Sequence, residues 1–265
     1  MSRPVVVLKF GGTSLATPAR VRLAARRVRA HLRHGRAPVV VVSARGHATD
    51  RIVAAVRGVG TPAGEAAPPH TREVDRALAT GEDLAAALLA VALAGYGVSA
   101  RSLRGAEAGL VADGDFGRGR IRQLDTRALR ELTARGVVPV VSGFQAGRAD
   151  GETLTLGRGG SDTSAVALAA ALGRVPCHLV TDVAAVHDRD PRRHPDAIRL
   201  AELSHEALLG LARAGAQVLH ADAAALAARE DVPLLIYHYR APLSGRGGTR
   251  VRRVTAPELI VEAAA

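Results

Sequence analysis

Tryptophan is absent from this chain of 265 residues, and phenylalanine and tyrosine occur only three times each. The core must therefore be filled by alanine, valine and leucine, which an apolar content of 48% supplies. With one cysteine, Cys177, no intramolecular disulfide can form, which fits a reducing cytoplasm. No apolar run reaches membrane-spanning length and the N-terminus enters a strand with no signal peptide, so no membrane partner is expected. Lysine is nearly missing: of the 36 Lys and Arg residues only Lys9 is lysine. Where arginine is used almost everywhere else, one lysine marks a place that needs a compact ammonium instead of a planar guanidinium.

The net charge of +11 invites a nucleic-acid reading, but the arginines are scattered over polar helix faces and no aromatics interleave with them. No nucleic-acid partner is expected. Small acidic substrates, such as nucleotides and carboxylates, match the charge better.

What is present is an alternation of apolar strands and alanine-rich helices. Buried strands are expected at 5–8, 39–42, 137–141, 177–180 and 234–236, each a short continuous apolar run. Helices are expected from Thr17-Pro18 to about residue 34, along a long stretch through Glu73, Asp75 and Glu82 to Leu93, at 125–135 with Asp125 or Thr126 as cap, at 162–172, at 204–213 and at 221–230. Residues 58–70 read as a loop, 98–124 as short strands and loops, and 188–192 as a polar turn. Gly81 inside the long helix costs about 1 kcal/mol against alanine, which predicts a close approach or a break beside Glu82. The pattern predicts an α/β fold, a three-layer α/β/α sandwich around a mainly parallel sheet. The whole chain, 1–265, reads as one domain with an N-terminal lobe (1–173) and a C-terminal lobe (174–265).

Two stretches carry chemistry. Leu156-Gly157-Arg158-Gly159-Gly160-Ser161-Asp162-Thr163 lies between a strand and a helix. Small residues there admit a ligand, backbone N–H groups at a helix start face it, and the helix dipole favours an anion. Arg158 can fork onto a carboxylate or phosphate, and Asp162 can orient a cation. The second stretch, Lys9-Phe10-Gly11-Gly12-Thr13-Ser14, leaves the first strand as a glycine turn that can cradle phosphate, with Lys9 reaching its oxygens. It is no P-loop, since no G-x-x-x-x-G-K-[ST] sequence occurs. Polar residues at 43–50 follow a buried strand, where open α/β sheets place ligands.

In order, Lys9 to Ser14, Val42-Ser43-Ala44 with Thr49-Asp50, Gly81-Glu82, Gly143-Phe144-Gln145, Leu156 to Thr163, Thr181-Asp182-Val183, Asp190-Pro191-Arg192, and Gly215-Ala216 with Val218-Leu219-His220 resemble the motifs of the aspartokinases. These belong to the amino acid kinase superfamily, and the resemblance spans about residues 4–240. It implies the amino acid kinase fold and ATP-dependent phosphorylation of the side-chain carboxylate of L-aspartate, with Mg²⁺, in amino acid biosynthesis. By matching position, Lys9 would stabilise the transferring phosphoryl group, and Asp162 would hold it in register. Ser43 and Thr49 would line the aspartate pocket, Glu82 would take the ammonium group, and Arg158, followed by Gly159, Gly160 and Ser161, would bind a carboxylate. Phe10, Gly11, Gly12 and Ser14 would form the phosphate-facing turn. Thr181, Asp182, His187, Asp190, Arg192 and Gln217 would belong to the nucleotide side. No residue is assigned to hold a metal directly.

The chemistry suits these residues, because phosphoryl transfer asks mainly for positioning and positive charge, and a carboxylate acceptor needs no base. Three positions depart from the family pattern: Gln217 where a lysine is usual, Asp83 where glutamine is usual, and His187 where an aromatic often sits. The C-terminal ACT regulatory domains of aspartokinases have no counterpart here, so feedback control through them is not expected. A homodimer is a further expectation. The competing readings are a kinase of the same fold acting on another amino acid or carboxylate, and a low-activity or non-catalytic regulatory subunit.

Overall fold

The computed structural model describes residues 3–60, 70–191, 193–216 and 218–253. In chain order the elements are β1 (Val5–Phe10), α1 (Pro18–Arg33), β2 (Ala37–Val42), α2 (Ala48–Gly60), α3 (Arg72–Ala94), β3 (Ala100–Leu103), β4 (Leu110–Asp113), β5 (Arg120–Leu124), α4 (Arg127–Ala134), β6 (Val138–Ser142), β7 (Gln145–Gly147), β8 (Thr153–Thr155), α5 (Gly160–Ala171), β9 (Cys177–Thr181), β10 (Val186–His187), β11 (Arg199–Leu200), β12 (Glu202–Ser204), α6 (His205–Arg213), α7 (Ala221–Glu230), β13 (Leu234–His238) and β14 (Thr249–Arg252).

The main sheet runs β12-β14-β13-β9-β1-β2-β6-β3. All its pairings are parallel except β13 with β14. Strands from both sequence lobes thus share one sheet, with β1 and β9 side by side at its centre. Alternate strand residues feed two cores. Val6, Leu8 and Phe10 of β1 and Val40 and Val42 of β2 pack with Val21, Val28 and Leu89 of α1 and α3. Val7, Val39 and Val41 face the other way, onto Ala165, Ala169 and Ala224 of α5 and α7. Strands buried on both faces have no polar side, so they read as unbroken apolar runs. On the second face the alanines of α5 and α7 share the packing with Leu129, Leu168 and Leu208, and α5 lies against β1.

Local signals set the helix starts. Thr17 Oγ accepts the N–H of Arg20 at 3.3 Å, with Pro18 in the first turn of α1. For α4 the cap residue is Thr126, but the side chain that accepts a helix N–H is Asp125, from Arg127 at 3.0 Å. Helix α5 begins two residues earlier than the sequence predicts, at Gly160.

Several expectations need correction. The predicted loop at 58–70 overlaps α2, which runs to Gly60; residues 61–69 of it lie outside the described residues. Residues 145–155, to which no strand was assigned, form the hairpin β7–β8, which joins β4 and β5 in a second sheet of order β5-β4-β7-β8. The stretch Thr249–Arg252, likewise unassigned, is strand β14, and β10 pairs with β11 beside the polar turn. Helix α3 is not broken at Gly81. The close approach is what the structure has, since a Cβ at Gly81 would stand 2.9 Å from the Ala44 Cβ. Helix α3 is also, by length and composition, apolar enough to cross a bilayer, contrary to the expectation that no such run exists. Its apolar stripe of Leu78, Ala85, Ala86, Leu89 and Leu93 is buried against the sheet and α1.

Beneath α1 lies a polar cluster. His31 is fully buried, its ring edge-on to His178 at 5.4 Å between centroids, and His178 Nδ1 lies 3.2 Å from the Tyr237 hydroxyl. His31 Nε2 is buried with no hydrogen-bond partner among the described residues. Burial, then the neighbouring cationic groups, pulls His31 from 6.5 down to about 3 and His178 to about 4. Both rings stay neutral in the fold, whereas the unfolded chain takes up protons as pH drops below 6.5. The contribution of these two rings to stability is therefore full above that pH and is lost on the way down, at about 1.4 kcal/mol per pH unit for each ring until its folded value is reached. Tm is expected to fall further from neutral pH to about pH 5 in the wild type than in the His31→Gln/His178→Gln double variant.

Candidate active site

Three strand ends and two helix starts converge on a single cleft of about 620 Å³. Lys9 reaches it from the end of β1, Ser43 follows β2, Thr49 and Asp50 come from the first turn of α2, and Glu82 from the middle of α3. Thr155 closes β8 and leads through Gly157 and Arg158 into Gly160, Ser161 and Asp162 at the start of α5. The turn into α5 needs glycine. Gly159 is left-handed at φ 69°, and a Cβ there would come within 2.2 Å of the His220 Cβ.

The Lys9 ammonium lies 2.6 Å from Asp162 Oδ1, with both side chains largely shielded. A strand end and a helix N-terminus are thereby joined across the cleft by one ion pair. Glu82 is 3% exposed; its Oε1 accepts the Ala44 N–H at 2.9 Å, and its Oε2 is buried with no partner among the described residues. Burial pushes the Glu82 carboxyl up to about 7, although the Ala44 N–H and Lys9 pull the other way. A carboxylate so placed lacks one favourable partner, and a ligand ammonium would supply it. Arg158 is exposed on the opposite stretch of the cleft lining, where its guanidinium is available to an anion. Cys177, under the cleft, offers no nucleophile: it is fully buried, and burial drives its thiol well above the usual range.

The residues predicted from sequence fall into two groups. Lys9, Ser43, Thr49, Glu82, Arg158, Gly159, Gly160, Ser161 and Asp162 all line the one cleft. The glycine turn after β1 lies behind Lys9. Gly11 N–H and the Ser14 hydroxyl both donate to the Val180 carbonyl, at 3.2 and 3.1 Å, and Gly12 O accepts from Gly46 N–H. Ser14 is 2% exposed, so its hydroxyl is committed to β9. The Phe10 side chain is 1% exposed and packs in the α1–α3 core, which leaves only its backbone near the turn, where its carbonyl accepts from Ser43 N–H.

Thr181, Asp182, His187 and Asp190 stand outside the cleft lining. Thr181 ends β9, directly after the carbonyl that the glycine turn grips, and donates to Asp182 at 3.2 Å. His187 is in β10, and the Asp190 carbonyl accepts from Arg193 and His194 in the following turn. Arg192 and Gln217, expected on the nucleotide side, lie outside the described residues. Sequence reasoning gave no site role to Asp50, Val53, His70, Gly117, Phe144, Thr155 or Gly157, all of which line the cleft.

An open, mainly parallel sheet covered by helices on both faces, with a charged cleft at its strand ends, defines an α/β/α protein with its cleft where such sheets place ligands. The chain belongs to the amino acid kinase family, whose family model matches residues 4–238. Among curated proteins it is 40% identical over 254 residues to an aspartokinase of Geobacillus stearothermophilus, covering 96% of this chain and 60% of that one. Among solved structures, aspartate kinase from Synechocystis is 37% identical with a TM-score of 0.80, covering 97% of this chain and 41% of that one. E. coli aspartokinase III in complex with aspartate and ADP is 26% identical with a TM-score of 0.81, covering 95% and 65%. The chain thus spans less than two thirds of the length of these relatives.

Proposed function

We propose that this chain transfers the terminal phosphoryl group of ATP to the side-chain carboxylate of L-aspartate, giving 4-phospho-L-aspartate and ADP. The observation that carries the reading is the Lys9–Asp162 pair at 2.6 Å in the same cleft as the unpartnered Oε2 of Glu82. Glu82 takes the substrate ammonium and Arg158 its α-carboxylate, which turns the side-chain carboxylate toward Lys9. One carboxylate oxygen then attacks the γ-phosphorus in line, while the bond from that phosphorus to the β-bridging oxygen breaks and ADP leaves with the electron pair. Lys9 neutralises charge on the transferring oxygens, held at its position by Asp162. The acceptor is ionised at neutral pH, so no general base is required.

The nucleotide lies on the far side of the glycine turn, toward Thr181, Asp182, His187 and Asp190. In this reading the N-terminal part, 1–173, binds the amino acid and the C-terminal part, 174–265, the nucleotide, within one catalytic unit in the cytoplasm. Among the described residues no cluster of three or more His, Cys, Asp or Glu is placed to hold a metal. Asp162 or Asp182 would be the carboxylates to hold a Mg²⁺ bound with the nucleotide. The ion would neutralise phosphate charge when bound.

ADP release measured with Mg²⁺-ATP against a panel of amino acids tests the proposal. L-Aspartate is expected to be the best acceptor. Preference for another acid would transfer the site to that substrate, and nucleotide binding without turnover on any acceptor would favour a non-catalytic subunit.

A further inference from the structure

Asp75 is the least accessible acid in the site region, fully buried in the first turns of α3, and it is surrounded by donors. Its Oδ2 accepts the Thr155 N–H at 2.7 Å and the Gly117 N–H at 3.0 Å. Its Oδ1 accepts the Thr155 hydroxyl at 2.7 Å and lies 2.6 Å from His70 Nε2. Thr155, Gly117 and His70 all line the cleft, while Asp75 itself does not. One hidden carboxylate thus gathers three separate pieces of one cleft wall: the segment entering α3, the loop between β4 and β5, and the end of β8 that leads into Arg158.

The imidazole is fixed by this arrangement. It lies over Gly117, where a Cβ would come within 2.8 Å of the ring, and its Nε2 is turned to Asp75. The His70 side chain remains 41% accessible. A proton on Nε2 is held by the carboxylate, so Nδ1 is the ring nitrogen left for a ligand. The charged groups that face the ring are Asp75 beneath it and, around the same cleft, Lys9, Asp50, Glu82, Arg158 and Asp162. His70 shares its wall with Thr155, Gly157 and Arg158, the side that the proposed function gives to the α-carboxylate.

We propose that His70 is a binding residue for the amino-acid substrate, contacting its carboxylate end beside Arg158, and that Asp75 is the positioning residue that holds it there. The inference rests on the acceptor being an amino acid, as proposed above. It assigns His70 no part in phosphoryl transfer, so its loss affects acceptor affinity and leaves the chemical step alone.

The test is steady-state kinetics of His70→Ala and His70→Gln, with calorimetric titration of L-aspartate and of ATP into each protein. His70 is half-accessible, so neither variant threatens the fold. A lost hydrogen bond to a charged group predicts a KM and a Kd for L-aspartate raised about tenfold or more in His70→Ala. The KM for ATP and kcat should stay within about twofold, and His70→Gln, which keeps a donor, should recover part of the loss. Asp75→Asn should reproduce the same KM shift in milder form if it acts through His70. Unchanged aspartate affinity in His70→Ala, or equal losses for ATP and aspartate, would overturn the proposal. If the wild type uses a different amino acid, the aspartate reading fails by itself. The His70 proposal is then decided by the same KM comparison on that acceptor, and a wild type that binds no amino acid overturns both.

Discussion

Lys9→Arg is expected to abolish phosphoryl transfer although it conserves charge. The Lys9 ammonium sits at the end of the central strand, 2.6 Å from Asp162, with 13% of its side chain exposed. The glycine turn lies beside it, since a Cβ on Gly11 would be in ordinary contact with Nζ at 3.7 Å. A planar guanidinium is wider than an ammonium and spreads its donors in a fixed fork, so it cannot occupy the same point or keep the same bond to Asp162. Loss of a preorganised donor aimed at transition-state charge typically costs about 10²–10³ in kcat, or roughly 3–4 kcal/mol. Single-turnover kinetics at saturating ATP and acceptor should show that loss, while calorimetry should show ATP still bound. Retention of more than about a tenth of kcat, a barrier change near 1.4 kcal/mol, would remove Lys9 from the chemical step.

Glu82→Gln should separate binding from stability. In the folded chain burial raises the Glu82 carboxyl from 4.5 to about 7. For an acid raised on folding, the unfolded chain gives up its proton first as pH rises. The Glu82 contribution to folding stability is then highest below 4.5 and falls as pH climbs through about 7, by an amount on the order of 3 kcal/mol above that point, opposing the trend set by His31 and His178. Glutamine removes this pH-dependent cost and keeps an oxygen for the Ala44 N–H. The variant is expected to unfold at a higher Tm than wild type at pH near 8, yet to bind L-aspartate more than about a hundredfold more weakly, since the ammonium loses its counter-charge. In the wild type, affinity for L-aspartate should rise with pH up to about 7 and then level off as the carboxylate becomes fully ionised. An unchanged aspartate Kd in the variant would take the ammonium away from Glu82.

Most of the sheet was legible because its strands are buried on both faces, which forces the valine-rich apolar runs of β1, β2 and β6. What was not legible lies at edges and in short pairings. Strands β7, β8, β10, β11 and β12 have two or three residues each, and long-range partners, not local pattern, make them strands. Helix α2 has no fully buried residue, and its apolar face is a narrow one, made by the half-buried Ile52, Val53 and Val56. In the site, the glycine turns marked Lys9, Arg158 and Asp162, because anion chemistry has few other solutions, whereas Glu82, inside α3, was marked by the resemblance to the aspartokinase motifs. Asp50, Phe144 and Gly157 sit inside the recognised motifs but had no chemical reason to be assigned a role. Asp75 did leave a signal. It falls on the stripe Asp75, Leu78, Glu82, Ala85, Leu89 and Leu93, at helical spacing, and an acid on an apolar stripe must find buried donors. His70 had no such signal, since only the fold brings it onto Asp75 and into the cleft.

The central claim is that a carboxylate is the phosphoryl acceptor at Lys9. Its most direct test is to run the reaction with Mg²⁺-ATP and L-aspartate in the presence of hydroxylamine, which intercepts an acyl phosphate as the hydroxamate. The account predicts aspartyl hydroxamate formed in step with ADP by the wild type, and neither formed by Lys9→Arg. ADP release that does not depend on aspartate, or that proceeds without hydroxamate, would contradict it.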